Sequence, residues 1–308
     1  MAEFSAADVA LHGFRVVWER PRSVLYWAAL QLAFSVGLTV FVTLSAGPAA
    51  GKFVTQAFQP GASDPTEMLA LFRQILPTYV AVLAAELLFY AVLSAAMNRA
   101  VLKPSDDAFG YLRFSSDELR QLALLAALSG LGVLVYIAVI VTCGLVASII
   151  AAATGGVPLG PAIALLLIIP ATLVVFIFLG VRFSLASPST FAKQRFDLLG
   201  SWRLTQGRFW PMFGTYLIAF ALKLVVLVLS FALAMLAVMI VGGGVGALAD
   251  AGGGDLSSLA GALKPARIAY LVVFGVGTAL SWPITMTPPA MIYRALAGDA
   301  GAVSRTFD

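Results

Sequence analysis

The chain has 308 residues, of which 61% are apolar and only 11% are charged, and its formal net charge is +4. Soluble domains contain roughly 45–50% apolar and about 25% charged residues, so this composition excludes a soluble globular enzyme, a disordered chain and a nucleic-acid-binding protein. One cysteine and one histidine argue against a disulfide framework and against histidine-rich zinc chemistry. The sequence predicts an all-α fold, a polytopic transmembrane helical bundle.

The N-terminal segment, residues 5–20, predicts an amphipathic helix that lies in the membrane interface. Ser5 and Asp8 fit a capping box at its start. One face is apolar and the opposite face is polar, as in helices that lie on a bilayer. The apolar face holds Ala7, Leu11, Phe14 and Trp18, and the polar face holds Asp8, His12, Arg15 and Glu19.

Six segments are apolar over about the 20 residues that a helix needs to cross a bilayer. A loop follows the first, and a second capped helix beginning at Asp64 precedes the second span, which Pro77 is expected to start. A turn over 154–158 and a glycine-rich, mobile loop over 242–266 are also predicted. The six spans lie near residues 23–45, 77–98, 121–153, 162–185, 211–241 and 268–293.

Lysine and arginine residues predict the orientation of these spans. With the N-terminus inside, the cytoplasmic segments hold 14 of the 19 basic residues and the external segments hold four, while Lys223 lies within the fifth span. Basic residues concentrate in cytoplasmic loops of membrane proteins. We therefore expect both termini in the cytoplasm.

Three short segments indicate an internal repeat within the single membrane domain, 1–308. They contain Gly13-Phe14-Arg15-Val16, Gly110-Tyr111-Leu112-Arg113-Phe114 and Gly200-Ser201-Trp202-Arg203-Leu204. Each precedes two spans, which predicts three parallel units of an elbow helix and a helical hairpin, over 1–102, 103–186 and 187–308. The alternative is that every cytoplasmic elbow of a membrane protein needs a glycine, an aromatic residue and an arginine.

Two ionisable residues, Glu86 in the second span and Lys223 in the fifth, are predicted near mid-membrane. An unpaired charge there costs at least a few kcal/mol, so each side chain should face protein or water. One hypothesis pairs the two residues across a polar cavity. In the alternative, Lys223 extends to the interface and Glu86 is protonated against a backbone carbonyl.

The sixth span contains three prolines between positions 283 and 289, which should break its hydrogen-bond ladder. Ser281, Thr285 and Thr287 are candidate partners for the freed carbonyls. Many transporters form a substrate site at such a broken helix. The alternative is a kink that brings the cytoplasmic end of the span onto the elbow helices.

Two polar stretches lie at the inner interface. In 103–120, the acidic residues match no metal loop, and we expect Ser115 or Ser116 to cap a helix and Arg113 or Arg120 to form ion pairs. In 187–210, basic and aromatic residues alternate, which suits either anionic lipid headgroups or an ordinary aromatic belt. The candidate headgroup contacts are Lys193, Arg195, Trp202, Arg203, Arg208 and Trp210.

The run Ser-Trp-Arg-Leu-Thr-Gln-Gly-Arg-Phe-Trp over 201–210, entering an apolar span, resembles a group of poorly characterised bacterial six-span inner-membrane proteins. The group includes the membrane domain attached to some glycerophosphoryl diester phosphodiesterases, and the segments 109–114 and 117–120 are similar to those of other members. The resemblance implies a bacterial inner-membrane protein without an assigned reaction. This chain has no soluble phosphodiesterase domain, so no hydrolytic activity is implied.

Enzyme motifs are absent, including a Walker loop, HExxH, GxSxG and GxGxxG. We therefore expect a non-enzymatic, envelope-related accessory protein that binds lipid or protein through cytoplasmic elbow helices. No cofactor, metal or nucleic acid is expected, and the partners would be membrane lipids and other inner-membrane proteins. The alternative is a transporter or lipid carrier that uses a Glu86/Lys223 cavity and a broken sixth span.

Overall fold

A computed structural model describes residues 5–58, 64–153, 160–248 and 258–307. These residues form helices and turns and contain no strand. Six helices in them are long and apolar enough to cross a membrane, so the predicted fold class is confirmed and the protein is a multi-pass helical membrane protein. The candidate spans are Pro21–Phe53, Pro65–Leu102, Ala108–Ala153, Leu166–Lys193, Phe209–Gly242 and Pro265–Ala297.

Long helices alternate with short connecting elements along the chain. The predicted turn over 154–158 lies outside the described residues, as does the central part of the glycine-rich loop, 249–257. The helices are α1 (Ala6–Glu19), α2 (Pro21–Phe58), α3 (Pro65–Leu102), α4 (Ser116–Ala153), α5 (Gly160–Phe183), α6 (Ala186–Lys193), α7 (Leu198–Leu204), α8 (Phe209–Gly242), α9 (Leu259–Ala262) and α10 (Pro265–Phe307), with 3-10 turns at Ala108–Tyr111 and Val245–Ala247.

Two predicted helix boundaries are wrong because prolines do not end the helices. α2 continues through Pro48 to Phe58, where a loop was expected, and α3 continues through Pro77, so that the second capped helix and the second span are one helix. The cap itself is confirmed, since Asp64 Oδ1 accepts a hydrogen bond from the Thr66 amide at 2.9 Å. A proline removes only one ladder bond, and losing the others in lipid costs more than keeping a kinked helix.

The last helix, α10, is central to the bundle and packs against α1, α2, α3 and α8. The prediction of a broken sixth span is wrong, since α10 is continuous although Pro283, Pro288 and Pro289 lie inside it. The surrounding helices enclose this stretch, and hydroxyl groups within it bond to carbonyls of the same helix. Contact with α8 is especially close, because a Cβ on Gly277 would lie 2.0 Å from Ser230 Oγ.

Helix α1 has three faces, where the sequence pattern indicated two. The apolar face that includes Leu11 and Trp18 is exposed, as expected of a surface that meets lipid. The face holding Val9, Ala10, Gly13 and Val16 is buried against α8 and α10. At its centre, a Cβ on Gly13 would lie 2.4 Å from Ile284 Cα, so the glycine lets the two backbones touch.

The three glycines that indicate the repeat occupy unlike positions. Gly13 lies inside a helix and touches α10, whereas Gly110 lies in a turn with φ +66° and packs against Ser23 of α2. Gly200 lies in α7 beside the carboxylate of Asp197. The order of an elbow followed by two long helices recurs three times, but the glycines share no common role, and the repeat stays a prediction.

We expect Gly13→Leu to lower the free energy of unfolding by at least about 2 kcal/mol, because its side chain would collide with the α10 backbone and prevent α1 from docking. Equilibrium unfolding in mixed micelles measures the change, and limited proteolysis reports release of α1. Gly130→Leu is the matched control, since a Cβ there meets no atom within 4 Å. Equal stability of Gly13→Leu and the wild type would contradict the packing described.

Candidate functional site

The connections at one end of the bundle form a layer that we call the elbow end. It comprises α1, the turn Ala108–Tyr111, α6 and α7, together with the helix ends that they join. Fully buried polar side chains concentrate here, which is unusual because burying a polar group is costly unless it is hydrogen-bonded. The bonding of these groups decides which side chains are structural and which are free to bind.

Arg99, at the end of α3, is the centre of a buried ionic network. Its side chain is 3% exposed, and Nη2 lies 2.9 Å from Glu118 Oε1, which is also buried. Nη1 donates to the carbonyl of Tyr111 at 2.5 Å. The second oxygen of Glu118 accepts from both the amide and the hydroxyl of Ser115, at 2.8 and 2.6 Å, which completes a capping box at the start of α4.

The turn Ala108–Tyr111 is held in an uncommon conformation by bonds to α2 and to Arg20, which immediately precedes that helix. Phe109, Gly110 and Tyr111 all have φ values between 51° and 66°, in the left-handed region that non-glycine residues rarely adopt. Trp27 Nε1 donates to the Gly110 carbonyl at 2.8 Å. Arg20 donates to the Tyr111 hydroxyl and, at 3.1 Å, to the carbonyl at position 100. The network therefore fixes a turn that would otherwise be strained.

A second cluster, made of hydroxyls and amides, lies next to the ionic network. Ser187 is its centre: its hydroxyl accepts from Asn98 Nδ2 at 2.7 Å, donates to Gln121 Oε1 at 2.9 Å and lies 2.7 Å from the hydroxyl of Ser94. Gln121 also donates from Nε2 to the Ser187 carbonyl at 3.0 Å. The cluster joins α3, α4 and α6, and its members satisfy one another.

Asp197 organises the connection between α6 and α7. Its carboxylate accepts from Ser189 at 2.7 Å, from Lys193 at 2.5 Å and from the amide of Gly200 at 3.1 Å. Burial acts to raise the pKa of Asp197, but the hydrogen bonds from Lys193 and Ser189 outweigh it and hold that pKa below its ordinary value. A Cβ on Gly200 would lie 2.2 Å from this carboxylate, so a larger residue at this position would displace the Asp197 side chain.

Arg182, in the last turn of α5, is held by aromatic rings. Its guanidinium carbon lies 5.2 Å from the ring centre of Phe178 and 5.2 Å from that of Trp202 in α7. Its backbone carbonyl accepts from the Ser201 hydroxyl at 2.7 Å. Cation–π contact compensates this charge, which forms no ion pair with a carboxylate among the described residues, and the contacts fix α7 against α5.

Three of the six predicted headgroup contacts are engaged within the protein. Lys193 is neutralised by its ion pair with Asp197. Arg208 donates to the Leu204 carbonyl at a long 3.5 Å. The ring of Trp202 packs on Arg182 and is 37% exposed. These side chains therefore stabilise the elbow end and are less available to lipid headgroups.

The other three, Arg195, Arg203 and Trp210, face outward. Across the described part of the chain, neither guanidinium makes a side-chain hydrogen bond or an ion pair. Trp210 is 74% exposed. These residues are therefore free to meet a ligand or a lipid headgroup.

The predicted pair of Glu86 and Lys223 does not form. Each side chain is half-buried, and none of the ion pairs among residues 5–58, 64–153, 160–248 and 258–307 involves either of them. The physical reason is the position of α10, which packs against both α3 and α8 and separates the two helices that carry the charges. The two residues thus have separate environments.

The hydroxyls of the sixth span bond within α10 rather than forming a polar site. Ser281 donates to the Thr278 carbonyl at 2.7 Å, and Thr287 donates to the Pro283 carbonyl at 2.6 Å. Both side chains are fully buried. Thr285 is the exception, because its bond to the Trp282 carbonyl is long, at 3.5 Å, and its side chain lines an open groove.

Sequence reasoning missed the residues that do most to build the elbow end. The predicted ion pairs of Arg113 and Arg120 are confirmed, with Asp106 and Asp117 as their partners. Glu118 instead pairs with Arg99, whose charge the sequence analysis used only to predict the orientation of the spans. One signal was present: Glu118 and Gln121 share a helical face with the buried Leu124, and polar residues on a buried face need partners.

Comparisons with models of protein families, with curated proteins and with solved structures find no match to the chain. The resemblance to bacterial six-span inner-membrane proteins therefore stays a prediction.

We expect Glu118→Gln to lower the free energy of unfolding by about 3 kcal/mol or more, because it leaves the buried guanidinium of Arg99 short of its closest counter-charge. Equilibrium unfolding in mixed micelles measures the loss. Arg113→Gln, which breaks the exposed pair with Asp106, is the control and should cost less than about 1 kcal/mol. Similar losses in the two variants would refute a special role for the buried pair.

Because the pKa of Asp197 is lowered in the folded protein, its contribution to stability is present above its ordinary pKa of 3.8 and is lost as the pH falls further. Asp197→Asn should therefore unfold at a lower temperature than the wild type at neutral pH, and the difference should shrink below about pH 4. Thermal unfolding of both proteins across this range measures it. A difference that does not change with pH would contradict the assigned cause.

Proposed function

We propose that this protein is a non-enzymatic accessory component of the bacterial inner membrane that binds anionic lipid headgroups through its elbow end. The asymmetry of lysine and arginine supports placing this end and both termini in the cytoplasm. Anionic lipids give the cytoplasmic leaflet a negative surface potential, which attracts basic segments next to the membrane. Membrane lipids would then be the first partners, ahead of other inner-membrane proteins.

The observation that carries the proposal is the outward surface of the segment 195–203. The guanidinium groups of Arg195 and Arg203 have no hydrogen-bond or ion-pair partner in the described part of the chain. They lie among apolar side chains, since Phe196 and Leu199 are both more than half exposed. Basic and apolar groups side by side suit the region where lipid headgroups meet acyl chains.

The surface is preorganised by the contacts beneath it. Asp197 holds the start of α7, and Arg182 and Trp202 fix α7 against α5. Little conformational entropy is then lost when a headgroup binds, because the backbone that carries the two arginines is already fixed. Arg99 and Glu118 bond to each other and are enclosed, so this ion pair is structural and is not exposed to a headgroup.

The test measures lipid preference directly. Purified protein is reconstituted in nanodiscs containing phosphatidylcholine and phosphatidylglycerol, and native mass spectrometry counts the lipids retained on release. We expect a preference for phosphatidylglycerol that falls by about fivefold for each charge removed in Arg195→Gln and Arg203→Gln, since a basic residue near an anionic surface contributes about 1 kcal/mol.

Arg113→Gln is the matched control, because this arginine is also exposed but is already paired with Asp106. It should leave the preference nearly unchanged. If all three variants lose the preference equally, net charge alone explains binding and the assigned surface is wrong. If neither Arg195→Gln nor Arg203→Gln loses it, the preference arises elsewhere on the protein and the assigned surface is wrong.

A further inference from the structure

Arg182, in the last turn of α5, has a guanidinium whose hydrogen-bonding groups the protein leaves unused. Its nitrogens Nε and Nη1 are buried and have no hydrogen-bond partner among the described residues. The residue as a whole is only partly buried, so Nη2 forms the open edge of the group. A buried donor without an acceptor is costly, and more so when it carries a charge. An acceptor from outside the chain is therefore expected at this edge.

The aromatic rings around Arg182 compensate its charge but do not satisfy its N–H groups. Its guanidinium carbon lies 5.2 Å from the ring centres of both Phe178 and Trp202. Ring faces attract a cation as a whole, whereas the N–H groups of a guanidinium donate in its own plane. The two rings also pack edge to face, with centroids 5.9 Å apart, and so fix the place of the cation. The result is a positioned guanidinium with unused donors.

The helices packed against α5 supply no free carboxylate to this group. These helices are α4, α7 and α8, and the last two contain no acidic residue. α4 contains Asp117 and Glu118, and both are engaged in the ionic network of Arg99. Asp197, which precedes α7, is bonded within its own connection. The anion that Arg182 lacks has to come from outside the described chain.

The position of Arg182 along α5 identifies the kind of anion. Residues 161–181 contain no charged residue, and at 1.5 Å per residue they span about 31 Å, the thickness of a hydrocarbon core. Arg182 follows directly, so it lies where the core ends and the headgroups begin. Trp202 and Trp210 lie at the same end, as aromatic residues do at membrane interfaces. The anionic group that every glycerophospholipid carries at this depth is a phosphate ester.

We propose that Arg182, positioned by Phe178 and Trp202, binds the phosphate of a membrane phospholipid. A planar guanidinium suits phosphate, whose oxygens can accept from two nitrogens at once. The site recognises the phosphate itself, which zwitterionic and anionic lipids share, whereas Arg195 and Arg203 respond to the net charge of the headgroup. The inference rests on the proposed function only in that the elbow end lies at a membrane surface.

The experiment compares a phospholipid with its phosphate-free counterpart on the full-length protein in maltoside micelles. The probes are dioctanoyl phosphatidylcholine and dioctanoylglycerol, and native mass spectrometry counts the bound molecules across a concentration series. We expect the phospholipid to bind about tenfold more tightly, because only its phosphate accepts charge-assisted hydrogen bonds. Equal affinity for the two probes would overturn the proposal.

Variants separate the guanidinium from the rings and from the packing of α7. Arg182→Gln should remove the tenfold advantage, and Arg113→Gln, at an exposed arginine already paired with Asp106, should keep it. If Arg182→Gln keeps the advantage, choline on the aromatic rings explains the binding and the phosphate site is wrong.

Ser201→Ala removes the hydrogen bond that joins α7 to the Arg182 carbonyl but retains the guanidinium. It should therefore keep most of the advantage of the phospholipid. A loss as large as that of Arg182→Gln would mean that docking of α7, and not the guanidinium, controls binding, and the proposal would be wrong.

Inorganic phosphate distinguishes a lipid from a soluble ligand. We expect millimolar phosphate to leave the phospholipid bound, and displacement would show that the site takes free phosphate and that the lipid assignment is wrong. If Arg182→Gln does not fold, the comparison of the two probes on the wild type still decides. Failure here leaves the preference assigned to Arg195 and Arg203 untouched, because phosphatidylcholine has no net charge and does not report on it.

Discussion

The buried guanidinium of Arg99 is the interaction on which the rest of the elbow end depends. A charge removed from water is tolerated only when its hydrogen bonds and its counter-charge are supplied in good geometry. Glu118 and the Tyr111 carbonyl supply them from two different segments. Because Glu118 also caps α4 through Ser115, one ion pair fixes the end of α3, the turn after it and the start of α4.

The other charged side chains form two groups, those that have a partner among the described residues and those that do not. At the elbow end, Asp197 and the rings around Arg182 hold α6 and α7 in place, while two arginines on the same elbow are left to the solvent or the lipid. In the spans, Lys223 likewise forms no ion pair with any of the described residues.

How much could be predicted from sequence follows from the range of each interaction. Long apolar runs are unstable in water, so the six spans and their approximate positions can be predicted without tertiary information. The helix cap at Asp64 is equally local. The hypothesis that Glu86 pairs with Lys223 is wrong because α10 lies between their helices, which the sequence does not reveal. Pro77 does not start the second span, because a helix in lipid is favoured to continue through a proline. The buried face of α1 became visible only with its partner, Ile284, 271 positions away along the chain.

That last contact has a consequence for biogenesis. The ribosome delivers α1 before α8 and α10, yet these two helices make its docking surface, and the backbone that Gly13 touches belongs to α10. Helix α1 therefore cannot bury its small-residue face until α10 has been synthesised. Docking of α1 is then a late step of assembly, which follows the insertion of α10.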